Sequence, residues 1–111
     1  MPRFMMVYKG EATDVSAMPE GEVAAIMAKW GLWMERVGPA LVDVGAPFGP
    51  GTSVIDDGGT GPAVAASGYS IVEAPDLEAA AALADGHPYL SEGSGNFAID
   101  VYQLMPVPFQ P

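Results

Sequence analysis

The chain has 111 residues, half of them hydrophobic, with 4 Lys and Arg against 14 Asp and Glu for a net charge of −10. That length fits one domain over 1–111, the apolar share excludes global disorder, and the acidic balance argues against nucleic acid, whose phosphates it would repel. With no cysteine there is no disulfide or thiolate chemistry, which fits a reducing cytoplasm, and no segment approaches the ~20 apolar residues of a membrane span.

All four cations, Arg3, Lys9, Lys29 and Arg36, lie in the first 36 residues. From Val37 onward there are nine carboxylates and no Lys or Arg, so an anionic ligand would have to be met by the first strand and first helix.

Arg3–Lys9 reads as a strand that is apolar on both faces and therefore covered on both sides. A helix is expected from Pro19 to Val37, with Pro19 in the first turn and Glu20 and Glu22 at its positive end. Val23, Ile26, Met27, Trp30, Met34 and Val37 recur at helical spacing, which places Trp33 at the edge of the apolar stripe beside Lys29 and Arg36. Gly38-Pro39 ends that helix, and Pro39–Val44 is expected to add one more helical turn. Thr52–Asp56 and Ala66–Glu73 read as strands joined in a hairpin by the turn-rich Asp57–Pro62. Asp76 suits the N-cap of a second helix over Leu77–Ala84, with Gly86 just beyond its C-terminus. Phe97–Met105 reads as the last strand, and the proline-rich 106–111 as an extended arm.

The resulting order, β-α-β-β-α-β, predicts an α+β ferredoxin-like domain: a four-stranded antiparallel sheet with two helices on one face. Its other face is too apolar for water, and a second copy packed sheet to sheet would cover it, giving a homodimer. Four segments stand out in order: Phe4-Met5-Met6-Val7-Tyr8, Trp30-x-x-Trp33 leading into Gly38-Pro39-Ala40-Leu41-Val42-Asp43-x-Gly45, Gly68-Tyr69-Ser70-Ile71-Val72-Glu73-Ala74, and His87-Pro88 before the final strand. In these the chain resembles the YCII-related (DGPF-type) small proteins. The resemblance implies the dimeric α/β-barrel form of the fold. Some members have a proposed His-Asp pair with the histidine in an Arg-x-x-His segment of the first helix. This chain has no histidine there, so that pair does not carry over.

His87 is the only histidine and the one side chain with an ordinary pKa near neutrality. It is the candidate acid or base, with Asp85, Glu92 or Asp43 to set its pKa, and the resemblance favours Asp43. The competing reading is structural, with cationic His87 against the carbonyl end of the second helix. Lys29, Trp33 and Arg36 form a candidate patch for an acid or aromatic ligand, and Tyr8 and Tyr89 are candidates for a pocket between the sheet and the first helix. One histidine without a second cluster gives no metal site, and the Gly-rich turns lack a phosphate-loop setting, so no cofactor is assigned. Two functions follow: binding of a small acidic or aromatic ligand, or a cofactor-free enzyme using His87 with Asp43.

Overall fold

The computed structural model describes residues 1–10, 19–90 and 97–106. Strand β1 (Arg3–Lys9) is followed by helix α1 (Glu20–Val37), a 3-10 turn (Gly38–Ala40) and β2 (Leu41–Pro47). The short β3 (Ser53–Val54) and β4 (Thr60–Gly61) precede β5 (Ala66–Glu73), α2 (Leu77–Ala82), a second 3-10 turn (Pro88–Leu90) and β6 (Ala98–Gln103). The main sheet has the order β2-β5-β1-β6 and is antiparallel throughout. This is the ferredoxin-like α+β fold expected from the element order. No described helix is long and apolar enough to cross a membrane.

The second strand is where sequence and structure differ. Pro39 closes a single 3-10 turn rather than extending α1, and Gly38, at φ 58°, turns the chain out of the helix. The expected helical turn over Pro39–Val44 is instead β2, whose Val42-Asp43-Val44 runs along the outside of β5. The expected strand over Thr52–Asp56 shrinks to β3, which pairs only with β4 in a separate ribbon. The physical reason is that β5, the expected hairpin partner, is already bonded on both sides, by β1 and β2.

Register sorts the side chains by face. Phe4, Met6 and Tyr8 stand opposite Val72, Ser70 and Gly68 on β5, and opposite Gln103, Val101 and Ile99 on β6. Phe4, Met6, Tyr8, Ser70 and Val72 are all buried under the helices. Met5 and Val7 alternate to the other face, opposite Ile71 and Tyr69, and are only half-buried. Two ion pairs bracket that face, Arg3 with Glu73 at 3.7 Å and Lys9 with Asp100 at 3.4 Å.

Helix α1 buries Trp33 and Val37, with Ile26, Trp30 and Met34 half-buried beside them. Met27, expected in the apolar stripe, is 64% exposed, and Trp33, expected at its edge, is 2% exposed. The stripe is thus rotated toward Trp33, whose indole Nε1–H donates to the Leu83 carbonyl at 2.8 Å and ties α1 to the end of α2. Helix α2 starts as expected, with Asp76 accepting from the Ala79 N–H at 2.8 Å.

Gly45 lies within β2 at φ 77°, where the register to β5 shifts between Asp43 and Ala46. A Cβ there would lie 1.8 Å from the Tyr69 carbonyl oxygen, a backbone atom that cannot step aside. Gly45→Ala is therefore expected to cost about 3 kcal/mol or more, read as a lower denaturant midpoint.

Candidate functional site

His87 is the convergence point of the helix side. Gly86, at φ 76°, reverses the chain after α2 and His87 drops beneath it, its N–H donating to the Ala84 carbonyl at 3.0 Å. The imidazole is 1% exposed. It is enclosed by Trp33, Trp30 and Tyr8, with ring centroids 4.3, 4.6 and 4.9 Å away. Tyr89 packs on Tyr8 at 5.4 Å, and its hydroxyl donates to the Lys9 carbonyl at 2.8 Å.

The hydrogen bonds fix the tautomer. The Tyr89 backbone N–H meets His87 Nδ1 at 3.0 Å, and since an amide N–H only donates, Nδ1 must accept. The proton of the neutral ring therefore sits on Nε2, which donates to Tyr8 Oη at 3.1 Å. Tyr8 in turn donates to Ser70 Oγ, and Ser70 donates to the Val44 carbonyl at 2.7 Å. The four links run in one direction, from the Tyr89 amide to the Val44 carbonyl, across β1, β5 and β2. Among the described residues no buried side-chain nitrogen or oxygen lacks a partner.

This environment holds His87 neutral. Burial pushes its pKa down to about 4, and a proton on Nδ1 would face the Tyr89 N–H donor. Burial raises the Tyr8 hydroxyl above its ordinary value, against a smaller opposing effect of the Ser70 hydrogen bond. The expected cationic His87 against the end of α2 is thus corrected: the ring is uncharged and buried among aromatic rings.

The other sequence candidates lie apart from this cluster. Asp43 is exposed on β2, and its carboxylate accepts from the Gly45 N–H at 2.9 Å. Among the described residues neither His87 nitrogen meets a carboxylate, and the His87–Asp43 pair does not form. Asp85 points outward to Arg36, 3.7 Å away, and Glu92 lies outside the described residues, as does the arm beyond Pro106. Trp33 lies in the core while Lys29 and Arg36 are exposed, so the three do not make a surface patch. Tyr8 and Tyr89, by contrast, join His87 in one cluster.

Sequence reasoning did not single out Ser70, the bridge to β2, although a lone serine on the buried phase of an apolar strand was a readable signal. Gly68 has a part too. It is buried opposite Tyr8, and a Cβ there would press on the Tyr8 ring at 3.3 Å and on the Ala46 carbonyl oxygen at 3.0 Å. Elsewhere an open cleft of about 750 Å³ lies between the β3–β4 ribbon and the ends of β1, β2 and β5, lined by residues such as Phe48, Pro50, Pro62 and Val64. Among the described residues its lining holds no ionisable side chain.

No family model matches the chain, and no curated protein does. Among solved structures it is similar to 5-chloro-2-hydroxyhydroquinone dehydrochlorinase from Burkholderia phenoliruptrix AC1100 in complex with 2,5-dihydroxybenzoquinone. The identity is 19% over 92% of this chain and 93% of that one, with a TM-score of 0.50. The similarity is one of fold.

Two outcomes are expected. Ser70→Ala leaves the Tyr8 hydroxyl and the Val44 carbonyl without their shared partner, and a loss of about 1–3 kcal/mol in chemical denaturation follows. Because His87 titrates near 4 when folded and near 6.5 when unfolded, the unfolded chain binds the extra proton between those values. Its contribution is complete above pH 6.5 and is lost as the pH falls toward 4, amounting to roughly 3 kcal/mol. Denaturation of His87→Gln against wild type across that range should show this slope vanish.

Proposed function

We propose that this chain is a YCII-related (DGPF-type) small protein that acts as a homodimer and binds a small planar aromatic molecule between the sheet and α1. The observation that carries the reading is the aromatic cluster on the helix side. Trp30 and Tyr89 are half-buried over the buried pair His87 and Tyr8, so each can present part of a ring to a planar guest. Trp33, wholly buried, sets the position of the cluster through its bond to α2.

The placement of charge favours an aromatic over an acidic ligand. Arg36 pairs with Asp85, and Lys29 is exposed on α1 about 100° around the helix from half-buried Trp30, on the side of wholly buried Trp33. No cation therefore faces the rings, which favours an aromatic ligand with few charges. The enzyme reading with His87 and Asp43 loses its support, since His87 is neutral with both nitrogens engaged and Asp43 is turned to its own backbone. The solved dehydrochlorinase of similar fold holds a dihydroxybenzoquinone, which makes that compound a rational first probe.

The homodimer is supported by the sheet face opposite the helices. Met5, Val7, Tyr69 and Ile71 form an apolar centre there, and a second copy placed against it would complete their burial.

Titration with 2,5-dihydroxybenzoquinone, followed by tryptophan fluorescence and thermal unfolding, tests the site. Saturable quenching and a melting temperature raised by several degrees are expected for wild type, as linkage requires of a ligand well above its Kd. Trp30→Leu should abolish both. An equal response in Trp30→Leu would move the ligand elsewhere and overturn this assignment.

A further inference from the structure

Strand β6 is an outer strand of the main sheet, bonded to β1 on one side alone. One contact gives its phase. The Leu104 N–H donates to the Arg3 carbonyl at 2.8 Å, and in an antiparallel ladder pairs that exchange hydrogen bonds alternate with pairs that do not. With Phe4 opposite Gln103, the alternation turns the amides and carbonyls of Ala98, Asp100, Tyr102 and Leu104 toward β1. Those of Ile99, Val101 and Gln103 point away from the sheet, and among the described residues nothing bonds to them. Outer strands ordinarily carry a guard such as a lysine, a proline or a bulge. The other outer strand, β2, has its register shifts. In β6 the register to β1 is unbroken, there is no lysine or proline, and the one charge, Asp100, is held by Lys9 at 3.4 Å.

We infer that this edge is a self-association surface whose occupant is β6 of a second copy, paired antiparallel about a two-fold axis at Val101. The side chains select that occupant and that register. With Val101 opposite Val101 of the partner subunit, Ile99 lies opposite the partner's Gln103, and each outward amide and carbonyl of the strand meets its complement. On the open sheet face Asp100 comes opposite the partner's Tyr102. The exposed Tyr102 hydroxyl, which lies 3.5 Å from Asp100 within its own chain, thereby gains a carboxylate to donate to across the axis. The two Asp100 carboxylates sit on a diagonal about 7–8 Å apart, each neutralised by its own Lys9. Sliding the partner by two residues one way sets Asp100 against the partner's Asp100. Sliding it the other way sets Asp100 against the partner's Leu104 and Tyr102 against the partner's Tyr102, and the hydroxyl–carboxylate match is lost.

This pairing lies in the plane of the sheet and doubles its four strands, so it neither uses nor blocks the apolar sheet face or the aromatic cluster. The chain has no cysteine, and introduced ones report the register directly. Under mild oxidation of the full chain, Val101→Cys, on the axis with Cα atoms about 5.5 Å apart, should cross-link into a covalent dimer. Ile99→Cys, on the same strand and face, should not, because each Ile99 lies roughly 14 Å from its copy. Gln103→Pro removes an outward N–H and leaves the ladder to β1 intact, so with unchanged circular dichroism it should halve the solution mass measured by sedimentation. Val7→Glu, aimed at the sheet-to-sheet homodimer, should leave the Val101→Cys cross-link in place, which separates failure of that dimer from failure of this edge. The proposal is overturned if Val101→Cys gives no covalent dimer, if it loses the cross-link when combined with Val7→Glu, if Ile99→Cys cross-links as readily, or if folded Gln103→Pro keeps the wild-type mass.

Discussion

The hydrogen bond from the Tyr89 amide to His87 Nδ1 sets the terms for the rest of the helix side. An amide has no alternative role, so this contact puts the imidazole proton on Nε2 and gives Tyr8, Ser70 and Val44 their directions in turn. Reversing any link would leave two donors or two acceptors face to face in a dry interior, at a cost of a few kcal/mol. The order of the chain is therefore inherited from one backbone group in a 3-10 turn.

The same contact defines what His87 can do. A histidine free to titrate near neutrality needs a nitrogen exposed to water or substrate. Here both nitrogens are engaged, burial favours the uncharged ring, and two indoles pack against it. What remains is a rigid aromatic platform held from below by polar bonds. The platform gives Trp30 and Tyr89 a fixed place at its margin, which is what the proposed binding of a flat molecule requires of them.

Much of the fold was legible in the sequence because its signals are local. The apolar run of β1, the alternation in β5, the Asp76 cap and the left-handed Gly86 each depend on a few neighbouring residues. Strand β2 was not legible because a short segment after Gly38-Pro39 suits a helical turn and a strand equally. Only pairing with β5, distant in sequence, settles it. The buried face of α1 was misjudged for a related reason. With apolar residues around nearly the whole helix, periodicity alone cannot choose Trp33 over Met27, and the Leu83 carbonyl makes the choice. For the site, the pattern drew attention to His87, Tyr8 and Tyr89. The charge state of His87 came from partners that no spacing rule connects.

The kink at Gly45 has an effect on how the sheet meets other chains. A regular outer strand offers an unbroken comb of amides and carbonyls on which a foreign strand can template. In β2 the shifts around Asp43 and Ala46 interrupt that comb, and the inward-turned Val44 carbonyl is already taken by Ser70. Lateral growth of the sheet, the first step toward fibrils, is thereby blunted on that side by the residue that also admits the close approach of Tyr69.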